Sequence, residues 1–442
     1  MKNLLFFFLF LAQYHLISQT FPEINEDKLP YQENSAIFDS IGMHPNRYMG
    51  QIWVLDSSIS YDMVQDEMVP GTKRTVINRN GLGELTSELW QYFDRYSQTW
   101  NNRFLREVKY YTPGQPEMKV TYPWMVPNSK WNEEPISLIR FDKSGNQIET
   151  FHRDVNFEGT YFNSGYRYLD VYDVNNNKTE MVSQYWYETE QDWENEFRIQ
   201  NVYDQNNQLI TIKMADWTGD HWQEYLLVEK TYNENGMLIN SLEKEWDYMN
   251  DKWVKKYLYT YSYNNSGKIT EELKQKWDNN NPLWVNNRLK KREYNANGLM
   301  IQEIGQYWNN DSLSWNNSVC QVYEYTNNNK ILLDEFKKWK NNKWQIQYRY
   351  EYFYDQNNDL VKYLEKEYYV PEDSLLNSNQ TIFIYDENDN RTEELYQFWN
   401  YETGLWMNVS RSENIYDDYN NLNQQLLQIW TNDNWNDYQR YD

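Results

Sequence analysis

The segment YNNSGKITEELKQKWDNNNPLWVNNRLKKREY, residues 263–294, is one unit of a repeat that decides the fold of this chain. It starts at Tyr263, contains the tryptophan pair Trp277 and Trp284, and ends at Tyr294, 31 residues after its start. A period near 31 residues that continues along most of a chain is typical of a repeat architecture. Residues that recur in every unit are therefore interpreted first as holding the fold together.

The spacing within the unit is conserved everywhere except between the two tryptophans. Units start at nine tyrosines: Tyr172, Tyr203, Tyr232, Tyr263, Tyr294, Tyr325, Tyr354, Tyr385 and Tyr416. The first tryptophan falls 14 residues after the tyrosine, and the second falls ten residues before the next tyrosine. The tryptophans are seven or five residues apart, and a change of two keeps each side chain on its own face of a strand. We therefore predict a hairpin loop between the tryptophans and expect the shorter version to lack one cross-strand pair.

Some units depart from this pattern. In the unit that starts at Tyr354, Tyr368 and Leu375 stand at the tryptophan positions. Two earlier pairs, Trp90/Trp100 and Trp124/Trp131, are predicted to begin the series.

A second turn follows each tyrosine. The residue after the tyrosine is Asp or Asn in all units but one, and these residues favour the first position of a type I turn. The fourth residue after the tyrosine is always one that tolerates a left-handed backbone: Asn176, Asn207, Gly236, Gly267, Gly298, Asn329, Asn358, Asp389 and Asn420. This combination predicts a three-residue hairpin loop, in which each tyrosine faces the residue six positions later.

The segments between the turns alternate with period two, as strands do. From Trp344 the alternate residues include Tyr348, Tyr350 and Tyr354, so we expect them to share one face with the tryptophan. The fold class is therefore predicted as all-β, with tandem hairpins of about 31 residues forming an extended antiparallel meander that is curled or spiral. A β-propeller with two repeats per blade is the alternative.

Three regions are predicted along the chain. Residues 1–18 have the charged start and short apolar run of a signal peptide. Residues 19–75 do not follow the repeat and are predicted to form a capping segment, while residues 76–442 hold about eleven hairpin repeats. We therefore expect an exported protein, secreted or at the cell surface, without a transmembrane segment.

The composition of the chain limits the classes of partner that it can bind. The formal net charge of −24 argues against nucleic acid, which demands a basic surface. The aromatic content of 18 % argues against disorder. The single cysteine, Cys320, excludes an internal disulfide, so packing and hydrogen bonds must hold the exported chain together.

The turn segments 203–209, 232–238 and 141–147 (YDQNNQL, YNENGML and FDKSGNQ) resemble the YD (RHS-type) repeat of bacterial secreted and toxin proteins. That resemblance implies a string of β-hairpins coiled into a spiral or shell. The longer period and the tryptophan pairs are more similar to the Asn- and Trp-rich hairpin repeats of exported Bacteroidetes proteins. Such proteins commonly carry a C-terminal sorting domain of the type IX secretion system, and we expect this chain to lack one.

The sequence offers little support for catalysis or for a cofactor. His44, His152 and His221 are scattered, without metal-ligand spacing, and no nucleophile or phosphate-binding motif occurs. We therefore predict no catalytic residue and no cofactor or metal site. Calcium is the weaker alternative, because residues 173–177 and 386–390 carry oxygen ligands at alternate positions.

The tryptophans admit two interpretations. Regularly spaced, partly exposed indoles beside Asn and Asp suit stacking on the rings of a periodic polysaccharide, where weak sites act together. Alternatively, the pairs only close each hairpin by packing across it. The candidate ligand-stacking residues are Trp246, Trp253, Trp277, Trp284, Trp308 and Trp315.

We accordingly expect a non-catalytic surface or extracellular protein that binds a polysaccharide or a cell-surface protein. A purely structural shell or spacer is the alternative, and an unrecognised glycan-active enzyme is the third possibility.

Overall fold

The structure is a computed structural model that describes residues 57–64, 67–369 and 374–442. The described residues all belong to one unit that spans Val54–Asp442. The predicted signal peptide, residues 1–18, lies outside the described residues, as does most of the predicted capping segment. The described part of that segment, residues 57–64 and 67–75, forms strand.

Every regular element within the described residues is a β-strand. In chain order the strands are β1 Ser57–Val64, β2 Glu67–Arg79, β3 Leu85–Asp94, β4 Thr99–Thr112, β5 Gln115–Met125, β6 Lys130–Trp131, β7 Ser137–Phe141, β8 Gln147–Val155, β9 Phe162–Tyr172, β10 Lys178–Tyr187, β11 Asp192–Tyr203, β12 Leu209–Trp217, β13 Trp222–Tyr232, β14 Leu238–Asp247, β15 Lys252–Tyr263, β16 Ile269–Asp278, β17 Leu283–Tyr294, β18 Met300–Asn309, β19 Ser314–Tyr325, β20 Ile331–Lys340, β21 Lys343–Tyr354, β22 Leu360–Tyr369, β23 Ser374–Tyr385, β24 Arg391–Asn400, β25 Leu405–Tyr416, β26 Leu422–Thr431 and β27 Asn434–Tyr441.

These strands form one antiparallel sheet that closes on itself. Each strand pairs with the next along the chain, except that β5 pairs with both β6 and β7. The last strand, β27, pairs with β1, with Tyr61 opposite Arg440, so 26 strands form a closed barrel. The prediction of an all-β hairpin meander is confirmed. The sheet is curled, as predicted, but it closes into a barrel and does not form a spiral. The propeller alternative is wrong, because a propeller needs separate sheets and this sheet is continuous.

The turn after each tyrosine has the predicted geometry. In the unit at Tyr294, the Asn295 N–H donates to the Leu299 carbonyl at 2.9 Å, and the Gly298 N–H donates to the Asn295 carbonyl at 3.0 Å. Gly298 has φ +77°, and the other eight predicted positions also have positive φ. Tyr294 lies opposite Met300, six residues later, as expected.

The tyrosine hydroxyl has a function that the sequence pattern did not predict. The Tyr294 hydroxyl donates to the Ile269 carbonyl of the preceding unit at 2.8 Å. The same bond to the preceding unit recurs at Tyr110, Tyr203, Tyr232, Tyr263, Tyr325, Tyr354, Tyr385 and Tyr416. A bond of this kind contributes about 1 kcal/mol net. It explains why these positions hold Tyr in preference to Phe.

The tryptophan hairpins are confirmed with two corrections. Trp124 lies opposite Trp131, but Trp90 and Trp100 do not pair, because Phe93 lies opposite Trp100 and Trp90 lies opposite Phe104. The sequence pattern missed this because Phe93 replaces a tryptophan.

The expected loss of a cross-strand pair in the shorter loops is also wrong. In the longer version, the pair Asn309/Ser314 lies between Trp308/Trp315 and the loop. In the shorter version, the pair Lys340/Lys343 lies in the same place beside Trp339/Trp344. The two-residue difference lies in the loop alone, which has four residues in one case and two in the other.

A β-bulge separates the tryptophans from the tyrosines. Asn286 lies opposite Gln275 and Arg288 lies opposite Lys274, so Asn287 is an extra residue in β17. A bulge breaks the alternation of side chains, and paired residues share a face. Trp284 and Tyr294 therefore point to opposite faces of the sheet.

The same bulge recurs in β21, between Ile346 and Tyr348. The expectation that Trp344 shares a face with Tyr348 and Tyr354 is therefore wrong. We call the face that carries the tryptophan pairs the tryptophan face, and the face that carries the unit-starting tyrosines the tyrosine face.

Full burial is concentrated in the first third of the described chain. One cluster joins Val120, Leu138 and Phe151, and a second joins Ile136, Phe162 and Trp186. In the later units most side chains are half-buried. Their stability therefore rests on contacts between neighbouring hairpins, as expected for a repeat protein.

Candidate binding site at the tryptophan pairs

The tryptophan pairs lie along one edge of the closed sheet. In an antiparallel meander, successive turns alternate between the two edges, so all tryptophan loops share one edge and all tyrosine turns share the other. We call the row of tryptophan pairs beside these loops the tryptophan rim.

The structure brings the six candidate tryptophans together as three cross-strand pairs. The ring centroids are 5.1 Å apart in Trp246/Trp253, 5.0 Å apart in Trp277/Trp284 and 5.1 Å apart in Trp308/Trp315. The rings meet edge to face, with interplanar angles of 80°, 69° and 70°, an arrangement that contributes about 0.5–1.5 kcal/mol per pair. All six indoles are half-buried, so each pair closes its hairpin and still exposes ring surface.

A hydrogen-bonded amide pair lies beside several of the tryptophan pairs, on the same face. The Gln306 side-chain N–H donates to the Asn317 side-chain oxygen at 2.8 Å, and each residue lies two positions from its tryptophan. The bond recurs beside tryptophan pairs in Gln184/Asn195, Gln275/Asn286 and Gln397/Asn408, and beside Phe93/Trp100 in Gln91/Asn102. It uses only part of the hydrogen-bonding capacity of two amides. The sequence carries this signal as Gln-x-Trp and Trp-x-Asn, and our sequence reasoning missed it.

Basic side chains cover some of the tryptophan pairs. The Lys255 Nζ lies 4.4 Å from the ring centroid of Trp277 and 5.9 Å from that of Trp284, in the next unit along the chain. Arg198 lies over Trp222 and Arg411 over Trp435 in the same way. A cation over an indole face is attracted by the ring quadrupole and also hides that face.

The pair Trp308/Trp315 differs from these. Within the described residues, no Lys or Arg side chain lies over either ring. This pair also has the amide pair Gln306/Asn317 beside it. The rings of Trp246 and Trp253 are likewise uncovered in the described part of the chain, but Lys244 and Lys255 stand at the amide positions beside them. Of the three candidate pairs, Trp308/Trp315 is therefore the one that combines uncovered rings with an amide pair.

The turn oxygens that suggested calcium are engaged in hydrogen bonds. One carboxylate oxygen of Asp173 accepts from the backbone N–H groups of Asn175 at 2.8 Å and Asn177 at 2.9 Å, and the other accepts from the Asn177 side chain. These bonds lower the pKa of Asp173, with the Asn177 side chain the largest cause. The turn at Asp386 has the same bonds.

Within the parts of the chain that the structure describes, no group of three or more His, Cys, Asp or Glu side chains is placed to hold a metal ion. His221 lies in an exposed loop, with its Nδ1 2.6 Å from the Asp220 carboxylate. His152 lies on β8, with its Nε2 3.5 Å from the Asp154 carboxylate. His44 lies outside the described residues.

The chain matches no protein-family model and no curated protein. Among solved structures, it is similar to a DUF3836 family protein from Parabacteroides distasonis (23 % identity, covering 21 % of this chain and 85 % of that chain, TM-score 0.18). It is also similar to TcdB2-TccC3 (12 % identity, 86 % and 25 %, TM-score 0.23) and to a porin-like protein from Bacteroides uniformis (10 %, 62 % and 92 %, TM-score 0.23). TM-scores this low do not show that the folds are shared. The resemblance to YD repeats therefore stays a prediction.

No helix within the described residues is long and apolar enough to cross a membrane.

Proposed function

We propose that this chain is an exported, non-catalytic protein, secreted or held at the cell surface, whose tryptophan rim binds a polysaccharide. The observation that supports this proposal is the repeated combination of a half-buried tryptophan pair with an amide pair on the same face, as at Trp308/Trp315 with Gln306/Asn317. The indoles supply apolar ring surface for the faces of sugar rings. The amides supply donors and acceptors for sugar hydroxyls.

The periodicity of the rim suits a periodic ligand. Neighbouring strands in a sheet lie about 4.8 Å apart, so successive two-strand units repeat at roughly 9.6 Å. That distance is comparable to the length of a disaccharide in an extended polysaccharide. Several weak sites along one chain would then act together, which raises the overall affinity without any new contact.

The test uses affinity electrophoresis of residues 19–442 in gels that contain soluble polysaccharides of different linkage. The test variant carries Trp308→Tyr with Trp315→Leu, the residues that one unit already has at Tyr368 and Leu375. We expect a polysaccharide that retards the parent protein to retard this variant less. The matched control carries Trp277→Tyr with Trp284→Leu at the pair covered by Lys255. Its retardation should fall by less than that of the test variant.

Two outcomes contradict the proposal. The first is that no polysaccharide retards the parent protein. The second is that the two variants, both with the circular dichroism spectrum of the parent, are retarded as strongly as the parent. Either outcome favours a purely structural shell or spacer, a role that the edge-to-face packing within each pair also supports.

A further inference from the structure

Four neighbouring strands carry an alternating row of tyrosines and carboxylates on the tyrosine face. Tyr323 on β19 lies opposite Asp334 on β20, which lies opposite Tyr350 on β21, which lies opposite Glu365 on β22. Each member is a direct cross-strand partner of the next, so the four side chains share one face. We call this set the tyrosine–carboxylate row.

Further aromatic rings surround the row. Phe336 stacks on Tyr348, with centroids 4.8 Å apart and an interplanar angle of 15°. Tyr363 lies beside Tyr350, with centroids 5.6 Å apart and an angle of 11°. All of these side chains are half-buried and so reachable from solvent.

The two carboxylates of the row lack a positive partner. Within the described residues, neither Asp334 nor Glu365 forms an ion pair. Asp334 accepts a hydrogen bond from Gln321, and Glu365 accepts one from Asn379 at 3.0 Å. Burial raises the pKa of Asp334 and, with the charge of Glu365, raises the pKa of Tyr350 to about 12. A partly desolvated carboxylate with no cation beside it raises the free energy of the folded protein. The row therefore favours the binding of a cation.

An earlier unit shows how a cation fits on this face. There Tyr259 lies opposite Lys274, where Tyr350 has Glu365. The Lys274 Nζ lies 3.8 Å from the ring centroid of Tyr257 and 4.8 Å from that of Tyr259. Glu243 lies opposite Tyr257 and supplies the negative charge. This unit provides its own ammonium group, whereas the unit of Tyr350 has two carboxylates and provides none.

We propose that the tyrosine–carboxylate row binds the ammonium group of a lysine side chain in a basic segment of a partner protein. Tyr350 offers its ring, which attracts a cation, and Asp334 and Glu365 flank it with negative charge. The occupant is lysine because Lys274 already occupies the matching aromatic site within this chain. The row lies on the face opposite the tryptophan rim, so this proposal is independent of polysaccharide binding.

The test is isothermal titration of the folded protein with a tetralysine peptide blocked at both ends, compared with the same peptide acetylated on every side-chain nitrogen. We expect saturable binding of the first peptide only. Asp334→Asn with Glu365→Gln should weaken it about tenfold or more, because both flanking charges are lost. The matched control is Glu293→Gln with Glu324→Gln, which removes the same charge from exposed positions on the tryptophan face and should leave the affinity within about twofold.

A gain-of-binding variant completes the test. Lys274→Ala empties the site at Tyr257 and Tyr259, so a second, weaker site for tetralysine should appear. If the double variant at Asp334 and Glu365 fails to fold, Asp334→Asn and Glu365→Gln are measured singly. Equal binding of the acetylated peptide overturns the proposal. So does an equal loss in both charge variants, because that result indicates diffuse attraction to an acidic protein.

Discussion

At the scale of single residues, the sequence predicted the backbone conformation of the turns but not the hydrogen bonds of the side chains. Asn, Asp or Gly at the fourth position after each tyrosine predicted a left-handed backbone, and all nine positions have it. The tyrosine hydroxyl bond was not predicted, because its acceptor lies in the preceding unit, 23 or 25 residues away in sequence. A repeat pattern shows which residue recurs, but not which atom of the neighbouring unit it contacts.

The first residue-scale prediction concerns this hydroxyl. Tyr294→Phe removes the bond to the Ile269 carbonyl and leaves that carbonyl without its partner, so we expect a loss of about 1 kcal/mol in the free energy of unfolding. Urea unfolding followed by circular dichroism measures it. The control is Tyr307→Phe, since Tyr307 is 49 % exposed and should tolerate the change. Equal midpoints for the parent and the Tyr294→Phe variant would show that the bond adds nothing to stability.

The second residue-scale prediction concerns the lysine that covers a tryptophan pair. Lys255→Ala uncovers Trp277 and Trp284, so retardation by the polysaccharide should increase. Stability should fall by about 0.5–1 kcal/mol, because a cation–π contact is lost. Lys252→Ala, at the exposed start of the same strand β15, removes the same charge and is the control. Unchanged or weaker retardation in the Lys255 variant would mean that the covered rings are not ligand surface.

At the scale of elements, the hairpins followed from the sequence and the bulges did not. The fixed register of tyrosine and tryptophan predicted which strands pair and where the loops lie. The bulge after the second tryptophan position adds one residue in each of the nine units that start at a tyrosine, so it leaves the period unchanged. Strict alternation therefore placed the tryptophans and tyrosines on one face, whereas the structure places them on opposite faces. The candidate tryptophans were identified correctly as pairs, but their amide neighbours were missed.

At the scale of elements, one tryptophan loop should be replaceable by another of different length. Replacing the four residues 310–313 by Asn-Asn copies the two-residue loop at Asn341 and Asn342, whose positive φ angles of 50° and 60° suit a tight hairpin turn. Because the pairs Asn309/Ser314 and Trp308/Trp315 are kept, stability should change by less than about 1 kcal/mol.

Deleting a single residue from the same loop is the comparison for this exchange. That deletion puts the two tryptophans out of register, so we expect a clearly larger loss in thermal unfolding temperature. If both variants lose the same amount, the loop does not set the register of the hairpin.

At the scale of the whole sheet, closure lies beyond what the repeat could predict. A repeat predicts the contacts between neighbouring units, but whether the last strand meets the first depends on how much every unit contributes to the twist. The strand that completes the ring, β1, lies in the segment that does not follow the repeat. Its pairing with β27 is short: it includes Ser60/Tyr441, Tyr61/Arg440 and Asp62/Gln439, and two backbone hydrogen bonds join Ile59 to Asp442 beside them.

The whole-sheet prediction tests this closing pair of strands. A chain that starts at residue 67 lacks β1 and exposes an edge of β27, and an unpaired edge recruits other strands. We expect concentration-dependent association, measured by light scattering after size-exclusion chromatography. A chain that starts at Val54 keeps β1 and is the control. A monomer at every concentration for both chains would contradict closure through β1.

If the open tryptophan pairs of the rim are the polysaccharide-binding surface, a bound polysaccharide should shield their indoles from a reagent in solution. Oxidation of tryptophan by a limiting reagent, with and without the retarding polysaccharide, tests it at single residues when the modified sites are read by mass spectrometry. We expect strong protection of Trp308 and Trp315 by the polysaccharide, and weaker protection of Trp277 and Trp284 under Lys255. Protection of neither pair, while the polysaccharide still retards the protein, would contradict it.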